Sequence, residues 1–339
     1  MCLVFISNWR EMMLLSLPKD VLQVFENYIT CEYASFTASG QPITVPVTPY
    51  IGANGTLDTS TGLVYPAKAE RARKNPHVAL LFSDPTGSGL SDPPVVLVQG
   101  KAAVRDADLQ ANTDRYLRAS QGKLPALMAG FPKWLVRMQA WYWVRIWLEV
   151  TPARVLWWDH GDTDAPPNEW IAPEGMIYPP SDAPPKGTKP PAWREPPSDW
   201  RPSAAYAVQS LGLPVVTVNN GNTPAAVRAK AITLAQDGFI LTLPKCPPAL
   251  MQGSACLTFH KHPERFTTMK NMMFVGDLHG DGVGAHFKVE RRIADWSAGG
   301  GTGNRLAGMI SFLRTGIQLT PRLKQEVARR DQPMPKIRI

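Results

Sequence analysis

The chain has 339 residues, of which 44% are hydrophobic, 19% charged and 9% aromatic, enough length for about two domains of roughly 100 to 200 residues each and too apolar a composition for a disordered chain. No window reaches the roughly 18 uninterrupted apolar residues that a membrane-spanning helix needs. The net charge of +8 is concentrated, because residues 301–339 hold eight basic side chains against Glu326 and Asp331, and the other 300 residues carry only +2. That excludes a nucleic-acid footprint spread over the whole surface.

Cys2, Cys31, Cys246 and Cys256 have no C-x-x-C spacing, which predicts reduced thiols in a cytoplasmic protein and no structural zinc. The apolar run of Met1–Ser7 is too short for a secretory core and has no basic residue ahead of it. Met12 and Met13 stand just before a helix signal, so the first dozen residues are either an ordered extension or an over-long start.

Ser16, Pro18, Val21, Leu22, Phe25 and Ile29 predict a capped amphipathic helix. A β-meander follows, over Tyr33 to Ala38 and Ile43 to Tyr50, with turns at Ala38–Gln41 and at Gly52-Ala-Asn-Gly55, the latter a hairpin signal. A short helix over Ala67–Lys74 is stopped by Asn75-Pro76. The apolar runs His77–Phe82 and Val95–Val104 read as strands, Asp106–Ser120 as a helix with Leu109, Tyr116 and Leu117 inward, and Trp141–Val150 and Ala153–Trp158 as a strand pair pivoting on Thr151-Pro152.

Between 165 and 202 lie twelve of the 33 prolines, which no helix or sheet can run through. Trp170, Ile177, Tyr178, Trp193 and Trp200 are interspersed. Disordered tracts are poor in aromatics, so the segment is predicted to be an extended strap packed on one or both halves.

Beyond the strap the order of events recurs. Val78–Phe82 precedes Gly100 as Ala255–Phe259 precedes Gly276, with spacings of 18 and 17 residues, and the turn glycines Gly40 and Gly55 are matched by Gly221 and Gly238. This predicts a duplicated β-barrel unit whose second copy lacks the helix, since Pro244, Pro247 and Pro248 stand in its place.

The chemistry-bearing stretch is Asp58–Pro76. A strand ending in Thr59 and Ser60 leads into a helix with free N–H groups at its start, and Lys68 and Arg71 lie i, i+3 on one face. That arrangement suits a phosphate; a short solvated basic helix is the alternative.

The order strand, turn, strand, Lys68, Asn75-Pro76, Val78–Phe82 and Val95–Gly100 resembles the pyridoxamine 5'-phosphate oxidase-like split barrels, a superfamily of FMN- and deazaflavin-binding proteins. The late run Trp141–Trp157 is similar to that family's closing arginine-containing strand and its Pro-x-Arg-Val turn. The resemblance covers about residues 20–160, and 210–296 as a degenerate second copy. It implies a mainly β protein with flanking helices, two split β-barrel domains in tandem. The boundaries drawn are 14–163 for the first barrel, 164–205 for the strap, 206–300 for the second barrel and 301–339 for a basic helical tail.

By the same resemblance the cofactor lies between the barrels, Lys68 matches the family's phosphate-contacting lysine, and Thr59 and Ser60 stand on the strand before it. The candidate cofactor-contacting set is Thr48, Thr59, Ser60, Tyr65, Lys68, Arg71, Arg145 and Arg228, with no catalytic residue assigned. The sequence departs from true pyridoxamine-phosphate oxidases in two places: Ala67 stands where they carry arginine, and Ile43–Pro49 has no cation. Hence FMN or the deazaflavin coenzyme F420 with a small organic substrate is expected, in a hydride- or electron-transferring oxidoreductase.

Other readings stay open beside it. Arg228 and Lys230 are alternate residues near where the first copy has Thr44 and Pro46; they read as anion contacts or as an exposed face. Trp141, Trp143, Arg145 and Trp147 share a face in strand alternation, as an anion-holding stack or as interface packing. His260 with His262, His279 with His286, and Cys246-Pro247 invite a haem or metal reading, without an acidic partner to complete a ligand set. A non-catalytic haem-, flavin- or tetrapyrrole-binding barrel is one rival function, and a structural or interaction protein whose site has decayed is the other. The C-terminal segment reads as a solvated helix packing by Leu306, Met309, Ile310 and Leu313, or as a membrane-surface or nucleic-acid contact. One cofactor per chain and an internal pseudo-dimer are expected, with room for a further homodimer.

Overall fold

The computed structural model describes residues 16–128, 132–191, 198–249, 251–280, 284–293 and 305–339. Helix α1 (Lys19–Asn27) turns Val21, Val24 and Phe25 inward. It starts one residue after Pro18, which occupies the N-cap, so Ser16 does not cap it. The first sheet then runs through β1 (Cys31–Phe36), β2 (Pro42–Val47), β3 (Tyr50–Ile51), β4 (Leu57–Gly62), β5 (His77–Phe82), β6 (Val95–Arg105), β7 (Arg145–Trp158) and β8 (Asn168–Ile171). Helix α2 (Ala67–Lys74) joins β4 to β5. Four helices join β6 to β7: α3 (Leu109–Lys123), α4 (Pro125–Met128), α5 (Lys133–Met138) and α6 (Ala140–Trp143).

After α7 (Arg201–Ser210) come β9 (Val215–Asn220), β10 (Thr223–Arg228), β11 (Ala231–Leu234), β12 (Gly238–Thr242), β13 (Gly253–Lys261), β14 (Lys270–Gly280) and β15 (Gly284–Ile293), and last α8 (Arg305–Arg329). The first sheet is ordered β2-β1-β5-β6-β7-β4-β3, with β8 added on β7; the second is ordered β10-β9-β13-β14-β15-β12-β11. Adding eight to each label of the first order gives the second. The chain is therefore a tandem split β-barrel, mainly β with flanking helices.

The repeated glycines show why the two copies share a register. Gly100 sits at the irregularity between β6 and β7, and Gly276 at the matching one between β14 and β15. A Cβ at Gly100 would strike the Thr151 carbonyl oxygen, and one at Gly276 the Lys288 carbonyl oxygen. Only glycine lets the neighbouring backbone come so close.

The halves pack as a pseudo-dimer, β5 on β10 and β2 on β13. Small side chains make this approach feasible: Ala34 and Ala79 are cross-strand partners, and with Ala226 and Val215 they join Leu81, Leu97 and Leu156 in a buried seam cluster. Tyr33 and Leu80, of opposite parity, face the first half's own core. Hence β1 is buried on both faces. Across the seam Thr44 donates to the Thr217 hydroxyl at 2.8 Å, Thr258 to the Thr44 carbonyl at 3.0 Å, and the Gln99 amide to the Pro224 carbonyl at 2.8 Å.

Three local expectations are corrected. Residues Ala140–Trp143 form a helical turn, so Trp141 and Trp143 do not share a strand face with Arg145. Its N–H to carbonyl bonds, Val144 to Ala140 at 2.9 Å among them, close before the strand starts. The proposed strand pair is one strand, β7, because Thr151 and Pro152 stay in register opposite Lys101 and Gly100 across the bulge.

The third correction is α8. Its Leu319, Leu323 and Val327 enter the first half's core, Arg330 is 3% exposed and paired with Asp106 at 3.0 Å and Glu326 at 2.6 Å, and Arg329 reaches Glu70 at 2.6 Å. Spacing of i, i+4, i+8 makes an apolar stripe, which is buried in the first half's core cluster. The side chains of Leu306, Met309 and Ile310 lie outside the described residues. The strap lies on this same half: Ser181 accepts from the Val104 N–H at 3.0 Å, Asp182 from the Asp106 and Ala107 N–H groups at 2.8 and 2.9 Å, and the Arg329 carbonyl accepts from the Gly187 N–H at 3.1 Å. Between β12 and β13 no helix occurs among the described residues.

Candidate functional site

Strand β4 ends at Gly62, and the turn through Val64 and Tyr65 delivers the chain into α2. Pro66 holds the N-cap, so only from Glu70 onward do the N–H groups find helical carbonyls, Glu70 bonding the Pro66 carbonyl at 2.9 Å. At the far end the pre-proline Asn75 is extended, as a residue before proline prefers. These two prolines confine the helix to eight residues and thereby set which side chains face which way.

The outward faces are tied down. Glu70 accepts from Arg329 and from Lys189, and Arg73 pairs with Asp106 at 2.7 Å. Lys68 and Arg71 point to the other side. The Lys68 ammonium donates to the Ser60 carbonyl at 3.3 Å and stands 5.8 Å from the Tyr33 ring centre. Arg71 Nε donates to the Ser35 hydroxyl at 3.0 Å, and its charge reaches the Cys256 thiol of the second half across the seam.

A third cation joins them. Arg145 opens β7 directly opposite Gly62, and its guanidinium passes close to that glycine, 3.7 Å from where a Cβ would stand. That guanidinium lies 4.2 Å from the Tyr116 ring centre and 4.5 Å from that of Tyr142, and donates to the Tyr116 hydroxyl at 3.1 Å. Both rings therefore hold it in place by stacking and cation–π attraction.

Burial first, and then the charges of Arg71 and Arg145, bring the Lys68 ammonium down to about 7. Burial likewise lowers Arg71. Lys123, at the end of α3, donates to the Pro49 carbonyl at 2.7 Å and is brought down by burial to about 8. Among the described residues none of Lys68, Arg71 and Arg145 forms an ion pair, whereas Arg73, Arg105, Arg115 and Arg329 around them all do. Arg145 Nε, the Trp143 indole N–H and the Tyr33 and Thr59 hydroxyls are buried without hydrogen-bond partners. Such groups ordinarily have a water, an ion or a ligand.

Of the sequence-derived set, the fold brings Ser60, Lys68, Arg71 and Arg145 together, with Thr59 beside Ser60 in β4. Tyr65 lies on the turn before α2; its carbonyl accepts from the Thr61 hydroxyl at 3.0 Å, and burial raises its phenol pKa. Thr48 is half-buried between β2 and β3. Arg228 is elsewhere: it pairs with Glu32 at 2.7 Å and donates to Ser83 at 3.0 Å and to the Leu213 carbonyl at 2.7 Å. With Gly100 matched to Gly276, Val215 is the counterpart of Glu32, and Arg228, which pairs with Val215 as Pro46 pairs with Glu32, is the counterpart of Pro46 in β2. Lys230 follows β10 and pairs with Asp164.

His260 bonds Glu32 at 2.5 Å and His262 bonds the Thr30 hydroxyl at 3.0 Å, so both rings bridge the seam. Tyr33, Tyr116, Tyr142 and Lys123 were not singled out for the site from the sequence. Tyr116 reads there only as a core-facing helix residue, and its seven-residue spacing to Lys123 on α3 is the signal that unites them. Two shallow clefts of about 440 and 340 Å³ lie elsewhere on the seam, near Gly40, Asn219 and Asn222.

No protein-family model matches the chain, and no curated protein matches it. Solved structures similar to it include a putative pyridoxamine 5'-phosphate oxidase from Listeria innocua, 18% identical over 40% of this chain and 92% of that one, with a TM-score of 0.28. General stress protein 26 from Bacillus anthracis is 13% identical over 45% and 97% of the two chains, with a TM-score of 0.31. An F420 reductase is 14% identical over 41% and 98%, with a TM-score of 0.32. The strand order and register given above define the fold without them.

Proposed function

We propose that the chain is an FMN- or deazaflavin-dependent oxidoreductase that holds the phosphate of its cofactor with Lys68, Arg71 and Arg145. The observation that carries this is the convergence of three cations, one of them with its pKa brought down to about 7, on a place where no carboxylate answers them. Repulsion of that kind is unfavourable unless an anion joins it. A phosphomonoester brings a charge of about −1.5 to −2 and three acceptor oxygens, which suits two guanidinium groups, an ammonium and the free N–H groups at the start of α2. The unpartnered Arg145 Nε and Thr59 hydroxyl are donors of the right kind.

When bound, the flavin or deazaflavin ring supplies the hydride chemistry toward a small organic substrate. This chain's residues bind and orient. Tyr116 and Tyr142 hold the Arg145 guanidinium at a set angle, Ser60 and Ser35 position Lys68 and Arg71, and α3, α6 and α8 keep water from the first half's side of the site. The second half contributes a wall through Cys256 and has no counterpart of α2 among the described residues, so one cofactor per chain is expected.

A Lys68→Ala, Arg71→Ala double variant tests the proposal. The variant is expected to keep its far-UV circular dichroism and cooperative unfolding and to lose at least about 100-fold in FMN or deazaflavin affinity, at about 1.5 kcal/mol or more per charge-assisted bond. Undiminished cofactor affinity would overturn it.

A further inference from the structure

Helices α5 and α6 and residues 313–325 of α8 have an unusual charge pattern. Helices α5 and α6 carry Lys133 and Arg137 and no Asp or Glu, and residues 313–325 of α8 carry Arg314, Arg322 and Lys324 and no Asp or Glu. On these elements large apolar side chains are left in the open: Trp134 is 61% exposed, Met138 63% and Ile317 76%. Leu135 and Val136, their neighbours on α5, are buried, so the helix is anchored and its outer side is displayed.

Contact between α6 and α8 puts the elements that carry them side by side. Gly316 of α8 packs against the Gln139 and Trp141 side chains, where an added Cβ would lie 2.9 Å from Gln139 Oε1 and 2.8 Å from Trp141 Nε1. Ile317 is the residue after Gly316, and Met138 the residue before Gln139. Lys133, Arg137 and Arg314 lie on the same helices, all exposed, and none has an ion pair among the described residues. Among those residues no helix is long and apolar enough to cross a membrane, so these side chains are a surface feature and not part of a span.

We propose that this face docks on an anionic lipid surface, with Trp134, Met138 and Ile317 entering the interfacial region and Lys133, Arg137 and Arg314 contacting headgroups. Exposed apolar patches on otherwise polar surfaces mark interaction sites. A tryptophan flanked by long cations, with carboxylates missing from two segments far apart in sequence, is the pattern of interfacial binding. A protein partner would be expected to meet charges of both signs. The inference does not depend on the cofactor reading, because none of the six side chains belongs to the site.

The test is co-sedimentation of the full chain with phosphatidylcholine vesicles containing or lacking 30 mol% phosphatidylglycerol. Binding is expected only to the anionic vesicles, weakening as salt rises. At about fivefold per cation, Lys133→Glu with Arg137→Glu should weaken it at least about 25-fold. Trp134→Ser with Ile317→Ser should abolish it while leaving the melting temperature unchanged, as exposed positions allow. No binding to anionic vesicles, equal binding to neutral ones, or unchanged binding by both variants would overturn the proposal. So would a stable complex with a purified protein partner through this face that leaves it inert toward vesicles.

Discussion

Lys68 offers the most quantitative prediction. Burial and the charges of Arg71 and Arg145 bring its ammonium down to about 7 in the free protein; a phosphate seated among the three cations cancels that repulsion and returns it toward its ordinary value of about 10.4. At pH 8 the free side chain is only about one-tenth protonated and the bound one fully so, a net uptake of about 0.9 proton per cofactor. At pH 6 the uptake falls to about 0.1 proton from this group, and the phosphate's own second ionisation, near 6, takes over. The apparent Kd should therefore rise about tenfold between pH 8 and pH 9. Calorimetric titration with FMN in two buffers of different ionisation enthalpy reads the proton count directly. Lys68→Met isolates it from Lys123, which titrates nearby at about 8. Zero uptake at pH 8 in the wild type, or the same uptake in Lys68→Met, would refute the reasoning.

The same group makes a stability prediction without any ligand. A lysine whose folded pKa is depressed leaves the unfolded chain holding more protons between about 7 and 10.4, so stability should climb with pH through that window. Lys68→Met should flatten the climb, as read by urea midpoints. In α8, Leu323→Ala removes a side chain that is 1% exposed and should cost about 2 to 4 kcal/mol; a loss under about 0.5 kcal/mol, the size of ordinary surface effects, would mean the helix does not belong to the first half's core. At the seam, Glu32→Ala leaves Arg228 and the buried His260 without their carboxylate, and a loss of about 3 kcal/mol or more is expected. Gly276→Ala should destabilise strongly because its Cβ meets the Lys288 carbonyl, whereas Gly284→Ala meets nothing within 4 Å and should be nearly silent.

The parts legible in the sequence were those set by local stereochemistry. Asn75-Pro76 ends α2 where expected, and the bounds of β5 are as read. Gly100 and Gly276, matched only by spacing, proved to be the same bulge, because a backbone contact that excludes every Cβ leaves the same mark in both copies. Lys68 and Arg71 share a face because helix geometry requires it.

What was not legible depended on distant partners. Trp141, Tyr142 and Trp143 have the aromatic content of a strand, and a single helical turn is too short to show its period. Leu319, Leu323 and Val327 form an apolar stripe that says nothing about which surface it covers, and that surface is built from segments as distant in the chain as Val64 and Trp141. Arg228 reads as a free cation until Glu32, 196 residues away, is brought beside it. Arg145 was visible, yet its two tyrosines, from α3 and α6, were not.

The most direct measurement is the visible absorption spectrum of the purified protein, taken alone and then during titration with FMN, the deazaflavin coenzyme and haem in turn. A flavin or deazaflavin band saturating at one equivalent per chain, and lost in the Lys68→Ala, Arg71→Ala variant, is the predicted result. Saturation by haem alone, or no change with any of the three, would contradict the account.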